Sequence, residues 1–450
     1  MTRTELRAGA ALASIFALRM LGLFLVLPVF SVFAKTLPGG DNILWTGLAF
    51  GVFGLTQGFM QIPFGMASDR FGRKPVIVFG LLLYAAGSLM AMWAPDIWWM
   101  TAARALQGLG AISAAVTALA ADLVREQHRT KVMAMIGSTI GLVFAASLVI
   151  APALYSAIGM DGIFLVIACM AVLAIPLLLK VVPDPEAPPV KLPPPPFAKV
   201  IGDSQLMRLN FGVFTVHLVQ MAMFLMIPLA LVEQVGMPVT AHWKIYLPVV
   251  LASFVIMVPA IIWSERRARN KTLLLAAILA MAASQLMFLV SGDTLWTIAG
   301  GLFVFFTAFN LLEASLPSLV SRIAPPTAKG AALGAFNTSQ ALGAALGSSV
   351  GGAIALNFGA RGVFVFCTVL ALGWWLWART MRPLPVIEVR EYEIGEDVDI
   401  DGLRAQLMSL PGAREATIEA ERRIASVKVN LELWDEARVR RLLGLPAAAH

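Results

Sequence analysis

The chain has 450 residues, of which 59% are hydrophobic and 14% are charged, and its formal net charge is +7. Soluble proteins average about 25% charged residues, and one soluble core could not bury this much apolar surface. The composition therefore excludes a single soluble domain and indicates a polytopic membrane protein.

Twelve apolar stretches are long enough to cross a hydrocarbon core of about 30 Å. We place these spans at 9–34, 43–67, 75–94, 97–122, 131–157, 160–182, 209–232, 242–264, 271–291, 294–323, 327–356 and 359–382. The first span follows Arg3 and Arg7, as a signal peptide would, but its apolar part is too long and Arg19 interrupts it. We therefore expect a retained helix.

The lysine and arginine residues in the loops and at the ends of the spans are distributed unevenly. The loops on one side hold 20 of them, whereas the other side holds Lys35, Lys244 and Arg361. Because these residues are enriched in cytoplasmic loops, the bias predicts that both termini are cytoplasmic. No basic patch with interleaved aromatic residues stands outside the loops. We therefore attribute the net charge to topology and expect no nucleic-acid partner.

The loop between spans two and three reads GMASDRFGRKP and concentrates charge in a chain that has little. Gly65 and Gly72 predict a tight hairpin and a close approach between helices. The charged residues lie just outside the hydrocarbon, where they cost little. Two interpretations are open: the charges only fix the topology, or they form a latch between two parts of the protein.

Two arginines lie inside spans, where charged residues are rare and usually functional. Arg19 lies well inside span one, and Arg104 shares a face of span four with Gln107. Each arginine is either a functional group near a cavity or a structural hydrogen-bond anchor.

The chain repeats itself. FLVLPVF, from Phe24 in span one, returns as FLMIPLA, from Phe224 in span seven, and SDRFGRK returns as SERRARN between the second and third spans of the second half. These repeats predict two related six-helix bundles, at 1–182 and 209–385. The proline-rich stretch at 183–208 predicts a semi-rigid cytoplasmic linker.

Polar residues in the second bundle suggest a binding site. Glu313 is the acidic residue that lies well inside a span, and Asn310 shares its helical face. A carboxylate removed from water can exchange protons near neutrality, so we expect Glu313 to bind the proton or the substrate; the alternative is a static pair with a neighbouring helix. His217 and Gln220 in span seven are further candidates, although a lone histidine is more often structural.

The composition changes after Pro385. Residues 386–450 carry 9 basic and 13 acidic side chains, and their pattern predicts a soluble domain with the element order βαββα. This order is close to a ferredoxin-like split βαβ unit, although little sequence remains for a fourth strand. The sequence identifies no partner for this domain.

The sequence contains no sign of catalysis. It lacks a phosphate-binding G-x-x-x-x-G-K-[ST] loop, and no cluster of His, Cys, Asp or Glu has the spacing of metal ligands or of a nucleophile and its base. We therefore expect no enzyme activity, no metal and no cofactor.

GMASDRFGRKP resembles motif A of the major facilitator superfamily, and RALQGLGA in span four resembles motif B. FNLLEASLPSL, REQHRTKVMA and the tail domain are similar to a subgroup that carries a cytoplasmic ferredoxin-like domain. The resemblance covers residues 1–385 and implies twelve helices in two pseudo-symmetric bundles. The motif A residues are Gly65, Asp69, Arg70, Gly72, Arg73 and Lys74.

The resemblance also implies roles for particular residues. In the superfamily the motif A aspartate, here Asp69, meets the start of span eleven when the carrier is open to the outside, and the second arginine, here Arg73, pairs with an acid, here Asp122. By likeness to motif B, Arg104 could tune the protonation of a nearby carboxylate. Motif C of drug antiporters is degraded in span five, with Pro152 remaining, so antiport is implied less strongly than transport.

The resemblance implies a monomeric inner-membrane transporter that moves a small molecule by alternating access and is driven by protons, with drug or metabolite efflux as one option. Two alternatives stay open. One is a sensor that does not transport and signals through the tail domain; the other is a facilitator without proton coupling.

Overall fold

The protein is described by a computed structural model that covers residues 2–124, 126–184, 202–267, 269–291, 294–324, 329–382, 387–395, 398, 402–419, 423–430 and 433–445. The helices of the membrane part are α1 (Arg3–Val26), α2 (Phe30–Ala34), α3 (Ile43–Phe71), α4 (Arg73–Met92), α5 (Ile97–Leu109), α6 (Ser113–Leu123), α7 (Glu126–Val181), α8 (Ser204–Glu233), a 3₁₀ turn (Val239–Ala241), α9 (Trp243–Arg266), α10 (Asn270–Ser291), α11 (Leu295–Ile323) and α12 (Lys329–Arg379). Linker residues 185–201 lie outside the described residues.

The predicted twelve crossings are confirmed. Within the described ranges, 10 stretches of helix are long and apolar enough to span a membrane, and the two longest lie in α7 and α12. Each of these two helices is bent at a glycine with positive φ, Gly159 at 67° and Gly359 at 65°, a conformation that favours glycine. Each therefore supplies two crossings.

The two bends also display the internal repeat. Gly159 and Gly359 occupy equivalent positions in IGMDGIF and FGARGVF, and their ψ angles are −176° and −172°. In the first bundle α1 and α4 pack on α7; in the second bundle α12 packs on α8 and α10. The bundles meet where α3 packs on α12 and where α7 packs on α9.

Span four differs from the sequence prediction of one helix over 97–122. The span is broken: α5 ends at Leu109, Gly110 has φ −74° and ψ 50°, and α6 begins at Ser113. Apolar residues continue through the break, so hydropathy did not indicate it. Glycine is required here because a Cβ on Gly110 would lie 2.4 Å from the carbonyl oxygen of Gly80.

The tail forms a small α+β unit with its own core. Its elements are β1 (Ile387–Glu393), α13 (Leu403–Met408), β2 (Ala413–Glu419), β3 (Ile424–Asn430) and α14 (Glu436–Leu442), which confirms the predicted order. The strands pair antiparallel in the order β1-β3-β2. The Tyr392 hydroxyl donates to Glu436 Oε2 over 2.7 Å, and burial raises the pKa of Tyr392 to about 12.

Candidate functional site

A cavity of about 190 Å³ lies between the two bundles. The first bundle contributes residues of α1, α3, α6 and α7 to its wall, and the second contributes residues of α8, α11 and α12. Most of the lining is apolar, which is typical of small-molecule sites with a few polar groups. The polar lining residues are Gln57, Gln61, Ser113, Thr117, His217, Gln220, Asn310, Glu313, Asn337 and Gln340.

Glu313 and His217 come together on the cavity wall. Glu313 Oε2 lies 3.7 Å from His217 Nε2, and Gln340 Nε2 lies 2.7 Å from the same ring nitrogen. His217 Nδ1 is 3.1 Å from the carbonyl oxygen of Val213. Because a carbonyl only accepts, Nδ1 carries a proton, and in the neutral ring Nε2 accepts from the Gln340 amide.

This geometry leaves a place for one more proton. Glu313 Oε2 is buried and has no hydrogen-bond partner among the described residues. A second proton on His217 Nε2 would replace the hydrogen bond from the Gln340 N–H and make this nitrogen a donor towards the Glu313 oxygen, whereas a proton on Glu313 would neutralise the carboxyl group and leave the Gln340 bond in place. The pair can therefore hold an exchangeable proton beside the cavity.

Asn310 and Gln220 also line the cavity. Asn310 Nδ2 donates to Ser253 Oγ on α9 over 2.9 Å, which joins α11 to α9. Ser253 lies outside the set of residues that sequence reasoning selected, because a lone serine in an apolar span has no distinguishing pattern.

Arg19 lies behind Ser113, which lines the cavity, and is not itself a lining residue. Its side chain is 2% exposed, and Nη1 donates to Ser113 Oγ over 3.4 Å. Its guanidinium carbon lies 5.7 Å from the centre of the Tyr84 ring. Within the described residues Nε and Nη2 have no hydrogen-bond partner, and no salt bridge joins Arg19 to a carboxylate.

Arg104 is fully buried inside the first bundle and does not line the cavity. Its Nη1 donates to Gln107 Oε1 over 2.6 Å, and Gln107 Nε2 donates to Ser88 Oγ over 2.7 Å. Its guanidinium carbon lies 4.7 Å from the centre of the Phe53 ring. Among the described residues no carboxylate pairs with Arg104, so the carboxylate that motif B implied is not beside it.

Arg73 forms most of the side-chain contacts of the motif A loop. This loop lies on the side of the bundles whose loops hold the 20 lysine and arginine residues counted above, and we call this side the basic side. Arg73 Nε donates to Asp122 Oδ2 over 2.9 Å, and Nη1 donates to Ser68 Oγ over 2.7 Å and to Asp69 Oδ1. Arg73 is 10% exposed, whereas the Asp69 side chain is 63% exposed. Asp69 thus points to solvent in this state and contacts only its own bundle among the described residues.

The other motif A residues have separate surroundings. Gly72 has φ 96° at the junction of α3 and α4, so the predicted tight turn requires a glycine there. Gly65 does not bring helices close together in this state, because a Cβ there would meet Ala114 at an ordinary 3.8 Å. Lys74 Nζ pairs with Asp184 Oδ1 at 2.8 Å, and Arg70 stacks on Phe71.

The bundles are closed on the side opposite to the basic side. There Lys35 pairs with Glu233 across the two bundles. A Cβ added to Gly47 of α3 would lie 2.3 Å from the carbonyl oxygen of Ser348 in α12, whereas one added to Gly334, near the basic end of α12, would meet nothing within 4 Å. The helices therefore touch on the opposite side and separate towards the basic side.

An aromatic cluster joins the two bundles at the cavity, where Phe24, Phe144 and Phe309 are lining residues. Phe144 of α7 has ring centroids at 5.1 Å from Phe24, 6.3 Å from Phe224 and 5.6 Å from Phe309. Phe24 belongs to the same bundle as Phe144, and the other two belong to the second bundle. Sequence reasoning missed this cluster because phenylalanine is common in apolar spans, and it missed Lys35–Glu233 because Lys35 counted only towards topology.

Comparison of the sequence with known proteins finds one family and relatives that are transport or multidrug resistance proteins. The sequence matches the model of the Major Facilitator Superfamily over residues 12–348. It is 39% identical over 447 residues to the inner membrane transport protein YajR of Escherichia coli (strain K12), covering 98% of this chain and 97% of YajR. It is 28% identical over 378 residues to the multidrug resistance protein MdtH of Enterobacter sp. (strain 638), covering 79% of this chain and 90% of MdtH.

A solved structure shares the fold. The bacterial homolog to the human lysosomal transporter Spinster, in an inward-facing and occupied conformation, superposes with a TM-score of 0.66 and 15% identity, over 85% of this chain and 98% of that chain. At this identity the likeness concerns the fold alone.

Proposed function

The chain belongs to the Major Facilitator Superfamily and is a secondary transporter of the inner membrane, and on that premise we propose that it couples transport of a small molecule to a proton held by Glu313 and His217. The observation that carries the proposal is the contact of 3.7 Å between Glu313 Oε2 and His217 Nε2 on the wall of the cavity between the bundles. A proton can drive a carrier only if it binds differently in the two states of the carrier. Groups that line the cavity between the bundles support the proposal, because their surroundings change when the bundles move.

We propose that the basic side is cytoplasmic, on the basis of the 20 lysine and arginine residues in its loops. The state described here is then closed to the outside by Lys35–Glu233 and by the close contact of α3 with α12, and open to the cytoplasm. In the alternative state the bundles close at the cytoplasmic side, and Asp69 leaves Arg73 to meet the start of α12. Residues 325–328, which directly precede α12, lie outside the described residues.

The substrate class is a separate part of the proposal. MdtH is described as a multidrug resistance protein, and YajR as a transport protein. A cavity lined by aromatic and amide side chains suits small organic molecules, so we propose an organic solute and efflux as the first direction to test. The sensor reading remains the competing function, and transport assays decide between the two.

The test is proton flux into proteoliposomes that hold a pH-sensitive dye, while a library of metabolites and drugs is added. The variant is Glu313→Gln. The matched control is Glu265→Gln, a carboxylate that pairs with Arg322 at 3.3 Å on the basic side, away from the cavity. Flux that depends on a compound and on Glu313, but not on Glu265, supports the proposal. Compounds that stabilise the protein thermally without any flux favour the sensor.

A further inference from the structure

The break in span four places a helix start inside the membrane. The second half of the span, α6, begins at Ser113 and runs for 11 residues, and its N-cap residue Ile112 offers no side-chain hydrogen bond. Ser113 and Thr117 of this helix line the cavity. The start of a helix carries a partial positive charge and unpaired backbone N–H groups. Discontinuous helices in transporters direct such ends at the anionic groups of substrates.

Arg19 supplies a second and independent observation at the same place. It is 2% exposed, and its Nη1 lies 3.4 Å from Ser113 Oγ. Its Nε and Nη2 have no hydrogen-bond partner among the described residues. A buried guanidinium without a carboxylate is costly, and such groups are retained in membranes where they have a functional partner. Here the missing partner is a negative charge.

Gln61 marks where an oxygen of that partner would lie. Its Oε1 accepts from the backbone N–H of Ala114 over 3.2 Å, within the first turn of α6, and its side chain lines the cavity. A carboxamide oxygen therefore accepts a hydrogen bond from one of the backbone N–H groups at the helix start. An anionic oxygen would bind this donor more strongly, because hydrogen bonds to charged groups are about twice as strong as neutral ones.

We propose that Arg19, Ser113 and the start of α6 form an anion subsite, which binds a carboxylate or phosphate group of the transported molecule. The guanidinium fork matches both groups, the Ser113 hydroxyl adds a donor, and the half-helix contributes its positive end. The proposal rests on the proposed transport function and adds the substrate class: an organic anion. Glu313 and Ser113 line the same cavity from different bundles, so the subsite and the proposed proton site open to one shared space.

The test is equilibrium binding to the purified full-length protein, which needs neither a proton gradient nor transport. The probes are benzoate and inorganic phosphate, and benzamide is the neutral control with the shape of benzoate. We expect saturable binding of at least one anion and none of benzamide. Arg19→Gln should weaken the affinity about tenfold or more, and Ser113→Ala about fivefold, from the usual strengths of charged and neutral hydrogen bonds.

A matched control removes an arginine elsewhere. Arg208 lies in the second bundle, where its guanidinium carbon is 5.7 Å from the Trp377 ring, and Arg208→Gln should keep the affinity of the wild type. If Arg19→Gln fails to fold, Ser113→Ala carries the test. Equal affinity in the wild type and in both site variants would overturn the proposal, as would the absence of saturable anion binding in the wild type. Preference between benzoate and phosphate identifies the anionic group.

The two proposals fail separately. Arg19-dependent anion binding without any Glu313-dependent proton flux would refute the proposed coupling and leave the subsite. Glu313-dependent proton flux in the absence of anion binding would refute the subsite and leave the coupling.

Discussion

Glu313 Oε2 of α11 lies 3.7 Å from His217 Nε2 of α8, and both side chains face the cavity between the bundles. His217 is oriented by two hydrogen bonds, one from Nδ1 to the Val213 carbonyl and one between Nε2 and the Gln340 amide. The ring therefore presents Nε2 to the one carboxylate that lines the cavity among the described residues.

Removal of the Gln340 amide tests this orientation. Gln340→Ala should lower the free energy of unfolding by about 1 kcal/mol, the usual value of one hydrogen bond, and should reduce proton flux because the ring is no longer fixed. Denaturation and liposome flux measure the two effects. Asn337→Ala is the control, since Asn337 lines the same cavity on the same helix and forms no hydrogen bond with His217 among the described residues. A reduction of flux that is equal in both variants would contradict the role of the contact.

The ion pair between Lys35 and Glu233 should favour the state that is closed to the opposite side. The pair is partly exposed, with 37% and 53% of the two side chains accessible, so its loss is worth about 0.2–1 kcal/mol, a population change of about fivefold at most. Lys35→Ala should therefore increase labelling of a cavity cysteine from that side.

Gly141→Cys is a suitable reporter, because Gly141 lines the cavity and a Cβ there meets nothing within 4 Å. Cys169 and Cys367 are first replaced by serine. If the charge swap Lys35→Glu with Glu233→Lys restores low labelling, this would support the claim that the ion pair favours the closed state. Unchanged labelling in Lys35→Ala would contradict it.

Asp69 should have the opposite effect on the same reporter. If Asp69 binds the start of α12 in the state open to the opposite side, Asp69→Asn removes about 0.3–1 kcal/mol from that state, or up to about 2 kcal/mol if the carboxylate is partly buried there. In the present state it weakens only the exposed ion pair with Arg73, in which Asp69 is 63% exposed and Arg73 keeps its bonds to Asp122 and Ser68, so the loss in the present state is the smaller one. Labelling of Gly141→Cys from the opposite side should then decrease. Labelling that is unchanged from both sides would refute the latch.

Arg73 and Arg70 differ in their expected contributions to stability although both belong to motif A. Arg73 is 10% exposed and bonds Asp69, Asp122 and Ser68, so Arg73→Ala leaves a half-buried carboxylate without its partner and should cost about 1–3 kcal/mol. Arg70 contacts an exposed Phe71, and Arg70→Ala should change stability by less than about 0.5 kcal/mol. Thermal unfolding of both variants in one detergent measures the difference, and equal losses would contradict this assignment.

Two glycines of the helices that form the bundle interface, one at the close crossing of α3 and α12 and one near the basic end of α12, should respond to alanine with opposite signs. Gly51→Ala places a Cβ 2.3 Å from the carbonyl oxygen of Ala345, which the packed helices cannot accommodate without a shift, so a loss of about 1–3 kcal/mol is expected. Gly334→Ala meets nothing within 4 Å and gains about 0.5–1 kcal/mol from helix propensity. Thermal unfolding again gives the result, and a stabilising Gly51→Ala would mean that the crossing is not tightly packed.

Hydropathy and repeats predicted the membrane part because both depend on long stretches of sequence. The crossings, the two bundles and the βαββα tail were all predicted in this way. Glu313, Asn310, His217 and Gln220 could be selected because polar groups inside apolar spans are rare. Their shared cavity could not be predicted, since it depends on how α8, α11 and α12 pack.

Local backbone geometry and the contacts between the bundles could not be predicted from the sequence. The break at Gly110 is hidden by apolar residues on both sides, and it decides where α6 begins. Phe144 resembles every other phenylalanine in a span until its partners in the second bundle are known. Gly65 belongs to a recognised motif, yet its surroundings in this state do not require glycine.

The most direct test of the proton site is infrared spectroscopy of the reconstituted protein during a pH titration, because the carboxylic acid C=O band reports protonation of the group itself without a substrate. The account predicts a titrating band that is lost in Glu313→Gln and retained in Glu265→Gln. Identical titration spectra for the wild type and Glu313→Gln would contradict the claim that Glu313 holds the exchangeable proton.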